Sequence, residues 1–313
     1  MDPLRMIEDL DGYFTTAQAY ELGHDHKSIA RLVHGGVWHR MRRGYFAFVD
    51  TWRALDDVGR HQVRSRAVQH SLGSVVALSH VSGVIAHGVT VWGIDLTRVH
   101  VTRLDGGAGR IEGDVVHHQG VCVDDDLREV DGQRVLSAER CVLEAGSRAQ
   151  GAAKLVPLNS LLHLGLGTRD SLESQFARME RWPFLRSMHV PVRLADGGAQ
   201  SAGESLGLYL FWTGGVPRPQ TQLEVRDAEG LLLGTCDWGW PEHDLLGEFD
   251  GRVKYGRLLR PDQQPGDVVF AEKQREDLLR EVTGFRMVRL VWDDYERPRL
   301  TIRRVRKMLR LAS

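Results

Sequence analysis

The chain has 313 residues, 42% hydrophobic and 27% charged, with a formal net charge of −1. That length predicts two or three domains, and the near-neutral balance excludes a global pull towards nucleic acid or membrane, leaving only local patches to supply one. Three scattered cysteines without a CxxC pair, a charged amino-terminal stretch, and no run near the roughly 20 apolar residues of a bilayer span predict a cytoplasmic protein without disulfides or membrane contact.

The first 50 residues predict a compact unit. Leu4, Ile7 and Leu10 recur at helical spacing. Thr15 with Gln18 three positions later reads as a capping box, and Gly23 stops that helix. A further helix over 25–34 turns Ile29, Leu32 and Val33 inward, and 37–48 reads as two short strands turning at Arg43-Gly44. Three helices followed by a hairpin is the plan of a winged helix-turn-helix. Lys27, Arg31, Arg40, Arg42 and Arg43 set five cations against the single acid Asp25 between His24 and Arg43. Such clusters suit phosphates, whose counterions they release. They equally suit the solvated face of a small helical domain.

Residues 51–165 read as a mixed α/β connecting domain, with a helix near 54–72 and strand signals at VHVTR and VVHH. His80, His87, His117 and His118 fit no compact metal-ligand spacing, which favours hydrogen-bonded structural histidines. A helical pair follows over 155–182, broken at Gly165–Gly167 and capped again at Thr168 or Asp170. The last domain spans 166–313.

From residue 201 the element order reads helix, three-stranded meander, helix, strand, an α+β or α/β core. Ser201 caps the first helix, with Glu204 at the third position. If 241–244 form a four-residue turn, Asp237 faces Glu248, and Asp250 shares that face. Like charges opposite one another destabilise a sheet. Oxygen donors of this kind select Mg²⁺ or Mn²⁺, although strand acids also sit on plain solvated faces. The adjoining hairpin brings Gln220 or Gln222 near the acids, and Lys254 follows within a few residues. A basic amphipathic helix carrying Arg303, Arg304, Arg306, Lys307 and Arg310 ends the chain, its apolar side supplied by Ile302, Val305 and Met308 or Leu309.

The stretches S-x-G-E-S at 201–205, P-x-x-Q at 219–222, Asp237-x₁₀-Glu248-x-Asp250-Gly251, Lys254-Tyr255, EKQRED and GFRMVRLVW together resemble the PD-(D/E)XK nuclease superfamily. Within it they are most similar to the branch related to the very-short-patch mismatch-repair endonuclease. YFTTAQAYELG and GVWHRMRRGYFAF resemble the winged helix of AbiEi-type antitoxins, which repress their own type IV toxin–antitoxin operons. The pair of resemblances looks like an actinobacterial architecture. It implies a restriction-endonuclease-like core in which Asp237 and Glu248 hold Mg²⁺ or Mn²⁺, Glu204 and Gln222 complete the site, and Lys254 acts near the scissile phosphate of double-stranded DNA. It also implies a cognate toxin or its operator as partner. The departure is Asp250, where the superfamily's final motif has lysine. Lys254 or Lys273 could replace it, and Lys273 could equally pair with Asp277 along its helix.

Overall fold

The computed structural model describes residues 2–122, 124–251 and 265–311, the side chains of Asp124 and of residues 265–273 excepted. The chain is mixed α/β and divides into two units, residues 1–89 with 93–145 and residues 90–92 with 146–313.

The first unit opens with α1 (Pro3–Asp11), β1 (Phe14–Thr15), α2 (Thr16–Glu21), α3 (His26–His34), β2 (Trp38–Arg42) and β3 (Tyr45–Phe48). The expected capping box forms at Thr15 and Gln18, and Asp25 with Ser28 forms a second one at the start of α3. The hairpin turns at Gly44, whose φ of 84° a residue without Cβ adopts at no steric cost. Strands pair in the order β1-β3-β2. The core beneath them is aromatic, with Phe14 edge-on to Trp38 at 4.8 Å and both against Phe46 and Phe48. Helical spacing misplaces Leu10, which is 81% exposed. The same turn of α1 buries Glu8, whose carboxylate accepts the Phe48 N–H at 2.6 Å and the Thr51 hydroxyl at 2.9 Å.

The unit continues through α4 (Val49–Ala54), α5 (Asp57–Leu72), β4 (Val76–Leu78), α6 (His80–Ala86), β5 (Val99–Arg103), β6 (Arg110–Glu112), β7 (Val115–His118), β8 (Leu127–Val130), β9 (Gln133–Leu136) and into α7 (Ala138–Arg148). These strands make a six-stranded sheet, β6-β7-β5-β4-β9-β8, with β5 parallel to β7 and β4 parallel to β9. The expected helix near 54–72 is two helices, α4 and α5, because Asp56 caps a new start by accepting the Gly59 N–H.

The second unit holds α8 (Leu155–His163), α9 (Arg169–Met179, capped by Thr168), α10 (His189–Leu194), α11 (Ala202–Thr213), β10 (Gln220–Arg226), β11 (Leu232–Trp240), β12 (Leu245–Phe249), α12 (Pro265–Thr283), β13 (Arg286–Leu290), α13 (Trp292–Glu296) and α14 (Pro298–Met308). Its sheet runs β10-β11-β12-β13, antiparallel until β13 joins β12 in parallel. One face packs on α11, where the indoles of Trp238 and Trp240 meet Phe211 edge-on at 5.1 Å. The other buries Val225, Cys236 and Leu246 with Leu279 of α12. Val305 of α14 and Leu309, which caps its end, are buried. The expected order of helix, three strands, helix, strand is therefore present, with α13 as an additional short helix.

Candidate functional site

The carboxylates picked out in the second unit come from three elements: Glu204 from α11, Asp237 from β11 and Glu248 from β12. Glu204 lies in the first turn of α11, and Ser201 accepts its N–H at 3.2 Å. The Glu204 side chain does not return to the Ser201 backbone, as a full capping box would require. It accepts the Ser201 hydroxyl at 2.6 Å, the Gln200 N–H at 2.8 Å and the Gln222 amide at 3.4 Å. These donors and the positive end of the helix hold a charge that is only 5% exposed.

Gln222 reaches Glu204 from a strained position within β10. The β10–β11 ladder pairs Thr221 with Trp238 and Leu223 with Cys236, and Gln222 between them has φ 51°. A non-glycine residue in that region costs on the order of 1–3 kcal/mol, which the rungs on either side must hold in place. The residue across from it in this register is Asp237.

Between β11 and β12 the four-residue turn forms as expected, with Asp244 at φ 50°. Trp240 faces Leu245 and Trp238 faces Gly247. That register sets Asp237 across from Glu248, but the ladder ends one rung short. Asp237 Oδ2 instead accepts the Phe249 backbone N–H at 2.7 Å.

Glu248 is 6% exposed and meets guanidinium groups that sequence reading overlooked. Arg275 of α12 donates to Glu248 Oε1 at 2.6 Å and to the Thr235 carbonyl at 3.1 Å. Arg289, the β13 residue paired with Glu248, lies 3.8 Å from both Glu248 and Asp250 and 2.6 Å from Glu276. Facing acids thus need no metal to be electrostatically tolerable here. Among the described residues, Glu204, Asp237, Glu248 and Asp250 form no group of three with ligand atoms all within 4.8 Å. Lys254 and the Lys273 side chain lie outside the described residues.

Two neighbours are chemically quiet. Burial pushes the Cys236 thiol up to about 12, with the Glu248 carboxylate adding to it. Burial, reinforced by Asp294, Asp237 and Glu204, raises the Tyr295 phenol well above its usual value, and its hydroxyl donates to the Gly203 carbonyl at 2.6 Å. Both stay protonated at neutral pH and are poor nucleophiles.

In the first unit, Lys27 and Arg31 are exposed on α3, and Arg40 and Arg43 are exposed on the hairpin. Arg42 differs: it is half-buried, its guanidinium lies 5.8 Å from the Tyr45 ring, and its Nη1 has no hydrogen-bond partner among the described residues. In α14, Arg304 is committed to Asp294 at 3.0 Å and Arg306 to the carbonyls of Gly214 and Gly215, the latter at 3.1 Å. Arg303 and Lys307 are exposed on α14, and Arg310 is exposed in the turn after it.

Compared with known proteins, the chain matches no protein-family model and no curated sequence. Among the described residues no helix is long and apolar enough to cross a membrane.

Proposed function

We propose that this protein binds double-stranded DNA through an amino-terminal winged helix and hydrolyses phosphodiester bonds with the carboxylates of its second unit. The observation that carries the reading is the register of β11 on β12, whose last rung, Trp238 with Gly247, leaves Asp237 and Glu248 as the next residues on the two strands. Glu204 joins them through Gln222, which lies across the sheet from Asp237. Exposed Lys27, Arg31, Arg40 and Arg43 supply the phosphate-facing charge.

The donor chemistry suits Mg²⁺ or Mn²⁺. Mg²⁺ is commonly held by one or two carboxylates, with waters and substrate phosphate completing its octahedron, so Asp237 and Glu248 suffice as protein ligands. When bound, the ion activates water and offsets the charge that develops on phosphate. Gln222 and the first turn of α11 fix Glu204, and the Phe249 N–H fixes Asp237. Arg275 and Arg289 hold Glu248.

Plasmid and linear duplex incubated with Mg²⁺ or Mn²⁺ provide the test. Cleavage by the natural protein that disappears in Asp237→Ala supports hydrolysis, and equal activity of the two rejects it.

The Arg275–Glu248 ion pair favours a second reading. With a guanidinium already on Glu248 and Asp250 in place of lysine, the second unit would be a non-cutting nuclease fold, and the protein an AbiEi-like antitoxin that represses its operon. Specific promoter binding without cleavage, together with neutralisation of a toxin encoded beside it, would select this reading.

A further inference from the structure

Three histidines from different elements meet in the first unit. His80 opens α6, His100 lies on β5 and His118 ends β7. One ring nitrogen from each falls within 4.8 Å of the other two. His100 Nδ1 and His118 Nε2 are 3.0 Å apart, and the His80 and His118 rings stack with centroids 3.6 Å apart.

His80 is held there at a backbone cost. Its φ is 49°, which a residue with Cβ rarely adopts. Glu144 of α7 secures it, with Oε2 accepting the His80 N–H at 3.3 Å and lying 3.2 Å from Nδ1. Arg140 Nε donates to the other Glu144 oxygen at 2.9 Å, and Arg140 Nη1 donates to Asp126 at 2.8 Å. Arg140, Glu144 and Asp126 are all at most 5% exposed. A carboxylate on one imidazole nitrogen keeps the proton there and leaves the other nitrogen's lone pair for an ion, a common arrangement behind metal-bound histidine.

We infer that His80, His100 and His118 form a binding site for a divalent transition metal of the zinc class, with Glu144 as the positioning residue for His80. Imidazole donors suit Zn²⁺, Ni²⁺ or Cu²⁺ and not the oxygen-seeking Mg²⁺, so this site is chemically distinct from the carboxylates of the second unit. Zn–N bonds of about 2.0–2.1 Å put tetrahedral ligand atoms roughly 3.4 Å apart. The His100–His118 pair is already close to that spacing. Loading requires His80 and His118 to turn out of their stack, so that each ring plane contains the ion. Three protein ligands leave a fourth position for water or an added ligand. His80 is 8% exposed and the other two are half-buried, so solvent reaches that position.

The test uses the full chain, treated with EDTA and dialysed. Zn²⁺ is titrated by calorimetry, and Co²⁺ by the visible absorption that reports tetrahedral coordination. The natural protein and an Asp237→Ala/Glu248→Ala variant should each bind one equivalent. Both His100→Gln and His118→Gln should lose it, and Glu144→Gln should weaken it about 10- to 100-fold. No tight Zn²⁺ binding by the natural protein, or affinity unchanged in both histidine variants, overturns the site. Should the histidine variants fail to fold, imidazole nitrogen shifts of the natural protein decide: Zn²⁺ must move the resonances of three histidines, and movement of fewer also overturns it.

Discussion

Arg275 places one guanidinium nitrogen 2.6 Å from Glu248 and another 3.1 Å from the Thr235 carbonyl, tying α12 to β12 through a nearly buried carboxylate and to β11 through a backbone oxygen. The contact is both a structural brace and a competitor for any cation at that carboxylate. Arg275→Ala should lower stability by about 2 kcal/mol, less than for a wholly buried pair because Arg275 is one-third exposed and Arg289 remains nearby. The same variant should tighten Mn²⁺ binding, whereas Glu248→Ala should abolish it. Urea unfolding and calorimetry read the two effects separately.

Asp237 separates structure from chemistry in the same way. Asn at this position keeps an oxygen for the Phe249 N–H, while Ala removes it. Asp237→Asn should stay within about 1 kcal/mol of the natural stability, and Asp237→Ala should lose about 1–2 kcal/mol. Both should lose metal-dependent cleavage. Cleavage by Asp237→Asn at the natural rate would show that the negative charge is unnecessary.

Exposed cations on α3 and the hairpin should contribute to DNA affinity without specifying sequence. Replacing both Lys27 and Arg31 by Ala should weaken binding to all duplexes alike and lower the slope of log K against log salt by about 2. Arg42→Ala should instead disturb the packing over Tyr45, and its effect should appear in thermal unfolding. Fluorescence anisotropy across a salt series distinguishes the two outcomes.

His61 should make the first unit sensitive to acid. It is fully buried, its Nδ1–H donates to the Leu96 carbonyl at 3.0 Å, and its Nε2 meets the Ser82 hydroxyl at 2.8 Å. Burial pushes its pKa from 6.5 down to about 4. Between those values the unfolded chain binds the proton more readily. The contribution is thus complete above about pH 6.5 and is lost as pH falls towards 4, amounting to about 3 kcal/mol. His61→Gln should flatten that slope in denaturant melts run from pH 7 to 4.

Gly207 marks how closely α11 approaches the sheet. A Cβ there would run into the Trp238 indole, which is itself wedged against Phe211. Gly207→Ala should cost about 1–3 kcal/mol through overpacking and displace the helix that carries Glu204. Loss of cleavage in a variant that still folds would connect that packing to the site.

Much of the secondary structure was legible because local chemistry decides it. Thr15 with Gln18, Thr168, Gly44 and the turn before Leu245 each act within a few residues, and each does what its sequence implies. The β11–β12 register followed from turn length alone. Pattern reading failed where tertiary partners overrule spacing. Leu10 keeps helical phase yet faces solvent, while Glu8 is buried because Phe48 and Thr51, forty residues on, supply its donors. The guanidiniums on Glu248 were equally hidden, since nothing near that residue announces Arg275 or Arg289. The histidines at 80, 100 and 118 share no motif because each arrives from a separate element. Neighbouring histidines point elsewhere: His87 donates to the Leu136 carbonyl at 2.7 Å, and His117 lies 3.8 Å from Glu112.

The parallel pairing of β13 with β12 has a consequence for synthesis on the ribosome. Leu245–Phe249 emerges well before Arg286–Leu290, so a nascent chain carries β12 with one side of its backbone unclaimed. That side belongs to a strand whose Leu245 and Leu246 are wholly shielded in the finished protein. Bare strand edges recruit other strands, so products that stop short of residue 286 should self-associate during translation. Arg286–Leu290 is the strand that claims that side once it has been made.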